Sequence, residues 1–384
     1  MSNEKNYPNN KFLCFLTKKE KNIIKQNPHC LSYFCNINRI ISLTPENRDK
    51  KKGNKNYNCS FERNFKEDDF LKKSNLKDNS LNIFLKKKKT FETLEDIEKL
   101  NIPLKERTFV PRGQRPSSVL HLGQLKLFLS TLQFLLKYAP QNKEVHIVYP
   151  GSAPGFNILF LIDLFPQCRW HLIDPNTFFF KLKNNEKILD IKNSLFTDKI
   201  CKMKKKELDG KYVLLISDIR IDSEEEPINR DNQLQMNWFK ILKPNYAQFK
   251  FRLPRITDNY EYLDGKIYLQ MYASPSTTES RLIVKKGAKM KVYNVDDYDG
   301  HMYYFNRMLR PSYYQSNHRH KCIDRCHDCI AMIELCKEYK KKYPKNDFSK
   351  KSIHLMLEKI FTKIPSVKKR ICVHFQQILK DCNF

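Results

Sequence analysis

The chain has 384 residues, and its 71 Lys and Arg against 42 Asp and Glu give a formal charge of +29. That length buries the core of one large domain or two small ones. So asymmetric a charge excludes the composition of an ordinary small-molecule enzyme and points to a polyanion partner, nucleic acid first. An AT-rich genome also inflates Lys and Asn, and the amino-terminal region has that character. No run of about 18 apolar residues occurs, and the first thirty residues lack a signal-peptide core, so a soluble, intracellular chain is expected. The 12 cysteines are scattered along a long chain, which predicts reduced thiols.

In chain order, residues 1–89 are rich in Asn, Lys and Ser, with lysine runs at Lys50 to Lys52 and Lys86 to Lys89. They read as a basic, largely disordered, low-complexity extension. Residues 90–310 read as one folded domain, and 311–384 as a basic helical segment packed on it. Gly123 to Tyr138 places Leu125, Phe128, Leu129, Leu132, Leu135 and Leu136 at helical spacing, with Lys126 beside the apolar stripe. Val145 to Tyr149 is strand-like and runs into VYPGSAPGF, where Gly151, Ser152, Pro154 and Gly155 form a turn without bulk; Ile158 to Phe165 then reads as a helix. Trp170 to Ile173 is a strand ending in Asp174, and Tyr212 to Ser217 a buried strand ending in Asp218. Leu234 to Leu242 reads as a helix, Ala247 to Leu253 as a strand carrying Lys250, and Gly265 to Tyr272 and Glu279 to Val284 as further strands. The alternation predicts an α/β fold: a Rossmann-like, doubly wound, mostly parallel sheet with helices on both faces.

Strand, glycine turn, helix is where an open α/β sheet holds a nucleotide-like cofactor, and a carboxylate such as Asp174 at the next strand tip accepts ribose hydroxyls. The turn is neither GxGxxG nor a Walker A loop, which disfavours a dinucleotide or a triphosphate. Lys126, Asp218, Lys250 and Glu279 each stand at the edge of an apolar element. Two lysines and two carboxylates converging in a cleft form a network in which a neighbouring cation and partial burial tune one ammonium toward its neutral form. A neutral lysine then takes the proton of a ribose 2′-hydroxyl as that oxygen attacks an activated methyl group.

GQLK at Gly123, VYPGSAPG at Val148, HLID at His171, LLISDIR at Leu214, FKFRLP at Phe249, TESRL at Thr278 and MYYFNRMLR at Met302 stand in register. In that order they resemble the poxvirus-type cap-specific mRNA 2′-O-methyltransferases, within the wider RrmJ/FtsJ-like class, from about Leu122 to Phe305. The resemblance implies a Lys-Asp-Lys-Glu tetrad of Lys126, Asp218, Lys250 and Glu279, with Lys250 as general base. It implies S-adenosyl-L-methionine as cofactor, held across Gly151, Ser152, Pro154 and Gly155 with Tyr149 and Asp218 beside it. The ribose falls to Asp174, the adenine to Phe196 and Thr197, and the methionine end to Gln124. No metal is needed, because a sulfonium leaving group is already activated.

For the cap itself the resemblance implies Arg252 and Asp299 as contacts. Arg255-Ile256-Thr257 stands where the family carries an aromatic that clamps the methylated guanine, and Tyr298 or Phe251 are the substitutes the sequence offers. The implied partners are the 5′ end of capped mRNA and other capping or polyadenylation enzymes, with no membrane. Two alternatives stay open: methylation of rRNA, tRNA or small nuclear RNA, and an RNA-binding accessory subunit of an mRNA-processing polymerase. The nucleus is the expected compartment, or the cytoplasm if the chain is viral. In HRHKCIDRCHDC, Cys322, Cys326 and Cys329 with His318 and His320 resemble a zinc ligand set. Cys322, Cys326, Cys329 and Cys336 equally fall on one face of a helix as buried free thiols, the reading preferred here.

Overall fold

The structure, a computed structural model, describes residues 90–101, 123–220, 222, 224–274, 277–310 and 327–364. The extension over residues 1–89 and the pair Cys322 and Cys326 lie outside the described residues. Among the described residues no helix is long and apolar enough to cross a membrane.

A seven-stranded sheet, in the order β3-β2-β1-β4-β5-β8-β7, organises the fold. Its strands are β1 (Val145–Pro150), β2 (Cys168–Ile173), β3 (Ile188–Lys192), β4 (Tyr212–Ser217), β5 (Tyr246–Phe251), β7 (Lys266–Tyr268) and β8 (Ser280–Lys285). From β3 to β5 all neighbours are parallel; β8 lies antiparallel between β5 and β7. β6 (Asn259–Leu263) and β9 (Met290–Asn294) pair as a separate antiparallel ribbon. The central strands are apolar throughout because both faces are covered, and every residue of β1 is buried.

One face packs α2 (Gly123–Tyr138), α3 (Phe156–Leu164), α7 (His327–Lys342) and α8 (Ile353–Lys363) against Val145, Ile147, Trp170 and Leu172. The stripe of Leu125, Phe128, Leu129, Leu132, Leu135 and Leu136 is 0–1% exposed, each side chain stabilising the fold by ~2 kcal/mol through removal from water. The other face carries α1 (Leu94–Glu98), α4 (Asp198–Glu207), α5 (Glu225–Leu242) and α6 (Val295–Tyr304) over Val148, Ile173, Leu215 and Phe249. Cys336 is a buried free thiol on α7, packed in the first of these cores.

Three elements differ from the sequence reading for identifiable reasons. α5 begins at Glu225 rather than Leu234, because its added turns bury one hydrocarbon side chain, Ile228, beside the polar Asp231 and Asn232, which leaves no apolar period to read. Asn232 and Gln235 are 0% exposed, and their amides donate to the carbonyls of Arg252 at 2.9 Å and Lys250 at 3.1 Å. The stretch after Asp174, too charged to show a period, folds into a 3₁₀ turn (Phe180–Leu182), β3 and α4, the last capped by Thr197, whose hydroxyl accepts from the Ile200 N–H at 3.4 Å. The Gly265–Tyr272 run pairs only over Lys266–Tyr268.

α4 is clasped to the sheet by a polar chain inside the second layer. The Lys204 ammonium, which only donates, reaches His171 Nδ1 at 3.0 Å, Asp190 at 2.8 Å and Glu207 at 2.8 Å. His171 Nε2 lies 3.2 Å from His146 Nδ1, and His146 Nε2 lies 3.0 Å from Glu144. With Lys204 as sole donor at one end and Glu144 as acceptor at the other, both imidazoles must be neutral with their protons on Nε2. Burial, then the Lys204 charge, pushes His171 down to about 4. A histidine whose folded pKa lies below its unfolded value stabilises the fold above that unfolded value, and loses the contribution as pH falls through the window to the folded one. Urea unfolding at pH 7 and pH 4.5 is therefore expected to show wild type losing up to about 3 kcal/mol more than His171→Gln, whose amide accepts from Lys204 without titrating.

Candidate active site

The parallel sheet reverses direction of build between β1 and β4, so the loops leaving their carboxyl ends diverge and open a crevice. Gly151 leaves β1 on one side and Asp218 leaves β4 on the other. Their backbones are in contact: the Asp218 N–H donates to the Pro150 carbonyl at 3.1 Å, and a Cβ on Gly151 would stand 2.7 Å from the Asp218 carbonyl carbon. Gly151 and Gly155 both hold positive φ, 78° and 73°, which L side chains rarely adopt. The turn must be glycine for close approach and for backbone conformation together.

Gln124, Tyr149, Gly151, Ser152, Pro154, Gly155 and Asp218 line one small pocket, joined by Thr131 and Asn157. Asp174, Phe196 and Thr197 lie outside its wall, on the loops after β2 and β3. The Asp174 carboxylate is part of the turn's own scaffold, accepting from the Ala153 N–H at 3.0 Å and from Asn176 N–H at 2.8 Å. The Asn176 side-chain amide also donates to Oδ1 at 3.0 Å, so of two acceptor sites per oxygen the one left over is on Oδ2. Phe196 meets Trp238 edge-on at 4.8 Å between ring centres, and Thr197 is the exposed cap of α4. Two pocket-side polar atoms, Ser152 Oγ and Asn157 Oδ1, are buried without a hydrogen-bond partner among the described residues.

Beside the pocket the structure brings together Lys126, Asp218, Lys250 and Glu279. The Lys126 ammonium meets Glu279 Oε1 at 2.6 Å, while Lys250 Nζ stands 3.6 Å from Asp218 Oδ1 and 3.9 Å from Glu279 Oε2. The sequence reading missed a fifth member, Arg281, a 2% exposed guanidinium donating to Asp218 Oδ1 at 2.7 Å and to Gln270 Oε1 at 3.0 Å. Gln270 in turn donates to Glu279 Oε1 at 3.1 Å. A signal existed: Arg281 falls two residues after Glu279 at the start of a strand, on the same side.

Three cations therefore surround two half-buried carboxylates. Burial alone would raise Asp218; Arg281 and then Lys250 more than offset it and hold the carboxyl below its ordinary range. Glu279 is likewise pushed up by burial but held well down by Lys126, Lys250 and Arg281. Both stay ionised. Lys126 and Arg281 sit within hydrogen-bond distance of their acids, and Lys250 does not. It is the cation least committed to a carboxylate.

Just past the carboxyl end of β5, Arg252 pairs with Glu225, and the Arg255 guanidinium donates to Asp299. Burial raises the Asp299 carboxyl, opposed by Arg255. The two aromatics the sequence offered as a clamp are not available for one. Phe251 is 0% exposed, and Tyr298 is 3% exposed with its hydroxyl bonded to the Thr278 carbonyl at 2.7 Å and to Ser280 Oγ at 2.9 Å. Both are core rings between β5, the β6–β9 ribbon and α6.

The strand order with its antiparallel β8, the glycine turn at the switch point and the acids at successive strand tips define the class, a Rossmann-like α/β methyltransferase fold. Residues 88–364 match the model of the poly(A) polymerase regulatory subunit family, and the chain belongs to that family. It is 32% identical over 210 residues to the cap-specific mRNA (nucleoside-2′-O-)-methyltransferase of Fowlpox virus (strain NVSL), covering 49% of this chain and 68% of the relative. It is also 32% identical over 219 residues to the protein of that name from Myxoma virus (strain Lausanne), covering 52% and 64%. The chain thus spans about two thirds of the length of these relatives. Among solved structures it is similar to bluetongue virus VP4, described as a multifunctional RNA-capping production line, with a TM-score of 0.38, 16% identity and coverage of 57% and 35%.

Two outcomes test this geometry. Arg281→Gln leaves Asp218 with only the more distant Lys250, and should lower stability by about 3–5 kcal/mol in urea unfolding. Gly151→Ala forces a Cβ into the Asp218 backbone at positive φ, and should cost about 1–3 kcal/mol and separate the turn from β4, read as weakened binding of S-adenosylhomocysteine by calorimetry.

Proposed function

We propose that the protein transfers a methyl group from S-adenosylmethionine to the ribose 2′-hydroxyl of the first transcribed nucleotide of capped mRNA. The observation that carries this reading is the convergence of Lys126, Asp218, Lys250 and Glu279 on the rim of a glycine-lined pocket at the sheet's switch point. The names of the relatives supply the substrate class.

The residues present fit the cofactor. Gly151 lets the turn lie directly against the Asp218 backbone, and Ser152 Oγ and Asn157 Oδ1 are buried polar atoms without a hydrogen-bond partner among the described residues. Gly151, Ser152, Pro154, Gly155, Tyr149 and Gln124 would hold the methionine and sulfonium portion. Asp174 would take the ribose, and Phe196 and Thr197 the adenine. When bound, S-adenosylmethionine supplies a methyl group on a sulfonium that leaves without acid or metal assistance.

The protein's part is alignment and one proton. Lys250, the least committed of the three cations, receives the 2′-hydroxyl proton on Nζ in its neutral form. Lys126 and Glu279 fix the floor on which it moves, and Arg281 keeps Asp218 ionised and in place. Asp218 stands both on the pocket wall and 3.6 Å from Lys250 Nζ, so it sets the spacing between the cofactor side and the attacking oxygen. The excess of basic side chains holds the RNA by its phosphates. At the cap end, Arg252 and Asp299 would meet the guanine or its phosphates, with Arg255 occupying the place of the family's clamp aromatic.

The test is transfer of labelled methyl to a short RNA with a methylated cap, an unmethylated cap or a 5′ triphosphate. Transfer to the methylated cap alone is expected, falling by at least about 100-fold in Lys250→Ala while RNA affinity changes less than twofold. Equal transfer to all three RNAs would move the assignment to another RNA, and RNA binding without transfer would make the protein an accessory subunit.

A further inference from the structure

Asn157 is not among the residues to which the family resemblance assigns a task, and its surroundings assign it one. It sits in the first turn of α3 and is 8% exposed. Its Nδ2 donates to the Gln124 backbone carbonyl at 3.1 Å and to Gln124 Oε1 at 3.3 Å. A backbone carbonyl can only accept, so the orientation of the Asn157 amide is fixed: nitrogen toward Gln124, Oδ1 the other way. The same contact turns Gln124 Oε1 toward Asn157 and leaves Gln124 Nε2 facing away from it. Asn157 Oδ1 is buried with no hydrogen-bond partner among the described residues.

Both residues stand on the wall of one pocket, and the groups left over from their mutual bond are opposite in function, a donor on Gln124 and a buried acceptor on Asn157. This inference rests on the cofactor reading above. With the methyl group at Asp218 and Lys250 and the ribose at Asp174, the portion left for the wall built by α2 and α3 is the amino acid end. That end is a zwitterion, which needs one donor for its carboxylate and one acceptor for its ammonium. The amino end of α3, whose Gly155 cap makes no side-chain bond, adds a field that favours the carboxylate.

We propose that Asn157 is a positioning and specificity residue for the cofactor's amino acid portion: it locks the Gln124 amide with Nε2 toward the carboxylate and offers its own Oδ1 to the α-ammonium. The lock makes the two residues one unit. Removing either member disorders the other, and the nucleoside half of the site is untouched.

The experiment is calorimetric titration of the full-length protein with S-adenosylhomocysteine and with 5′-methylthioadenosine, which keeps the nucleoside and thioether but lacks the amino acid. Asn157→Ala and the bulkier Asn157→Leu are each expected to weaken S-adenosylhomocysteine about tenfold and to leave 5′-methylthioadenosine within twofold. Asn157→Ala combined with Gln124→Ala should lose little more than either alone, because coupled residues are not additive. Equal losses for both ligands, unchanged S-adenosylhomocysteine binding, or additive losses in the double variant would overturn the proposal. Wild-type protein that binds neither ligand would instead overturn the cofactor reading beneath it.

Discussion

Two carboxylates, Asp218 and Glu279, are largely withdrawn from water at the carboxyl edge of the sheet, and three cations converging on them offset the cost and keep them ionised. Taking an unpaired carboxylate out of water costs several kcal/mol, so the position of each cation is a condition of the fold as well as of the chemistry. Arg281 satisfies Asp218 and Lys126 satisfies Glu279, each at hydrogen-bond distance. Lys250 is held by both acids and tightly by neither. Lys250 is therefore the cation of the three whose position owes least to a single carboxylate.

The glycine turn after β1 depends on the same edge. Gly151 lies so close to the Asp218 backbone that the turn and the charge cluster move as one piece. The β1–β4 switch point brings them together, and α5 secures the neighbouring strand: its buried Asn232 and Gln235 clamp the carbonyls of Arg252 and Lys250. Placement of Lys250 is therefore shared between a helix on one face, β8 on the other side and the acids in front of it. Lys126 and Lys250 stand on α2 and β5, while Asp218 and Glu279 stand one residue beyond the end of β4 and one before the start of β8, so the cluster is set by the ends of rigid elements.

The segment after β5 departs from the family's pattern in a physically consistent way. Where an aromatic would stack on a base, Arg255 reaches Asp299, and the same loop is tied to α5 through Glu225, which accepts from Arg252 and from the Arg255 N–H. The neighbouring rings of Phe251 and Tyr298 are spent in the core. The Arg252–Arg255 end of the site thus presents paired charges, while Lys126, Asp218, Lys250 and Glu279 stand together at the other.

By itself the sequence determined the class of fold, the glycine turn and the identity of the four charged residues. Each of these is a local signal: an apolar run of strand or helix period, glycines where a backbone must approach, an acid at a strand tip. α2 and β4 have the bounds their apolar periods imply, because their buried faces are hydrocarbon. Where the buried face is polar, the period fails as a guide: the first turns of α5 bury amides, α4 buries Lys204, and β8 buries Arg281, each made tolerable by partners far away in the chain. Tertiary structure alone decided those partners, the pairing of Arg255 with Asp299, the burial of Tyr298 and the Asn157–Gln124 lock. A polar group's tolerance for burial is set by what faces it across the fold, and that is a property of two distant segments rather than of either one.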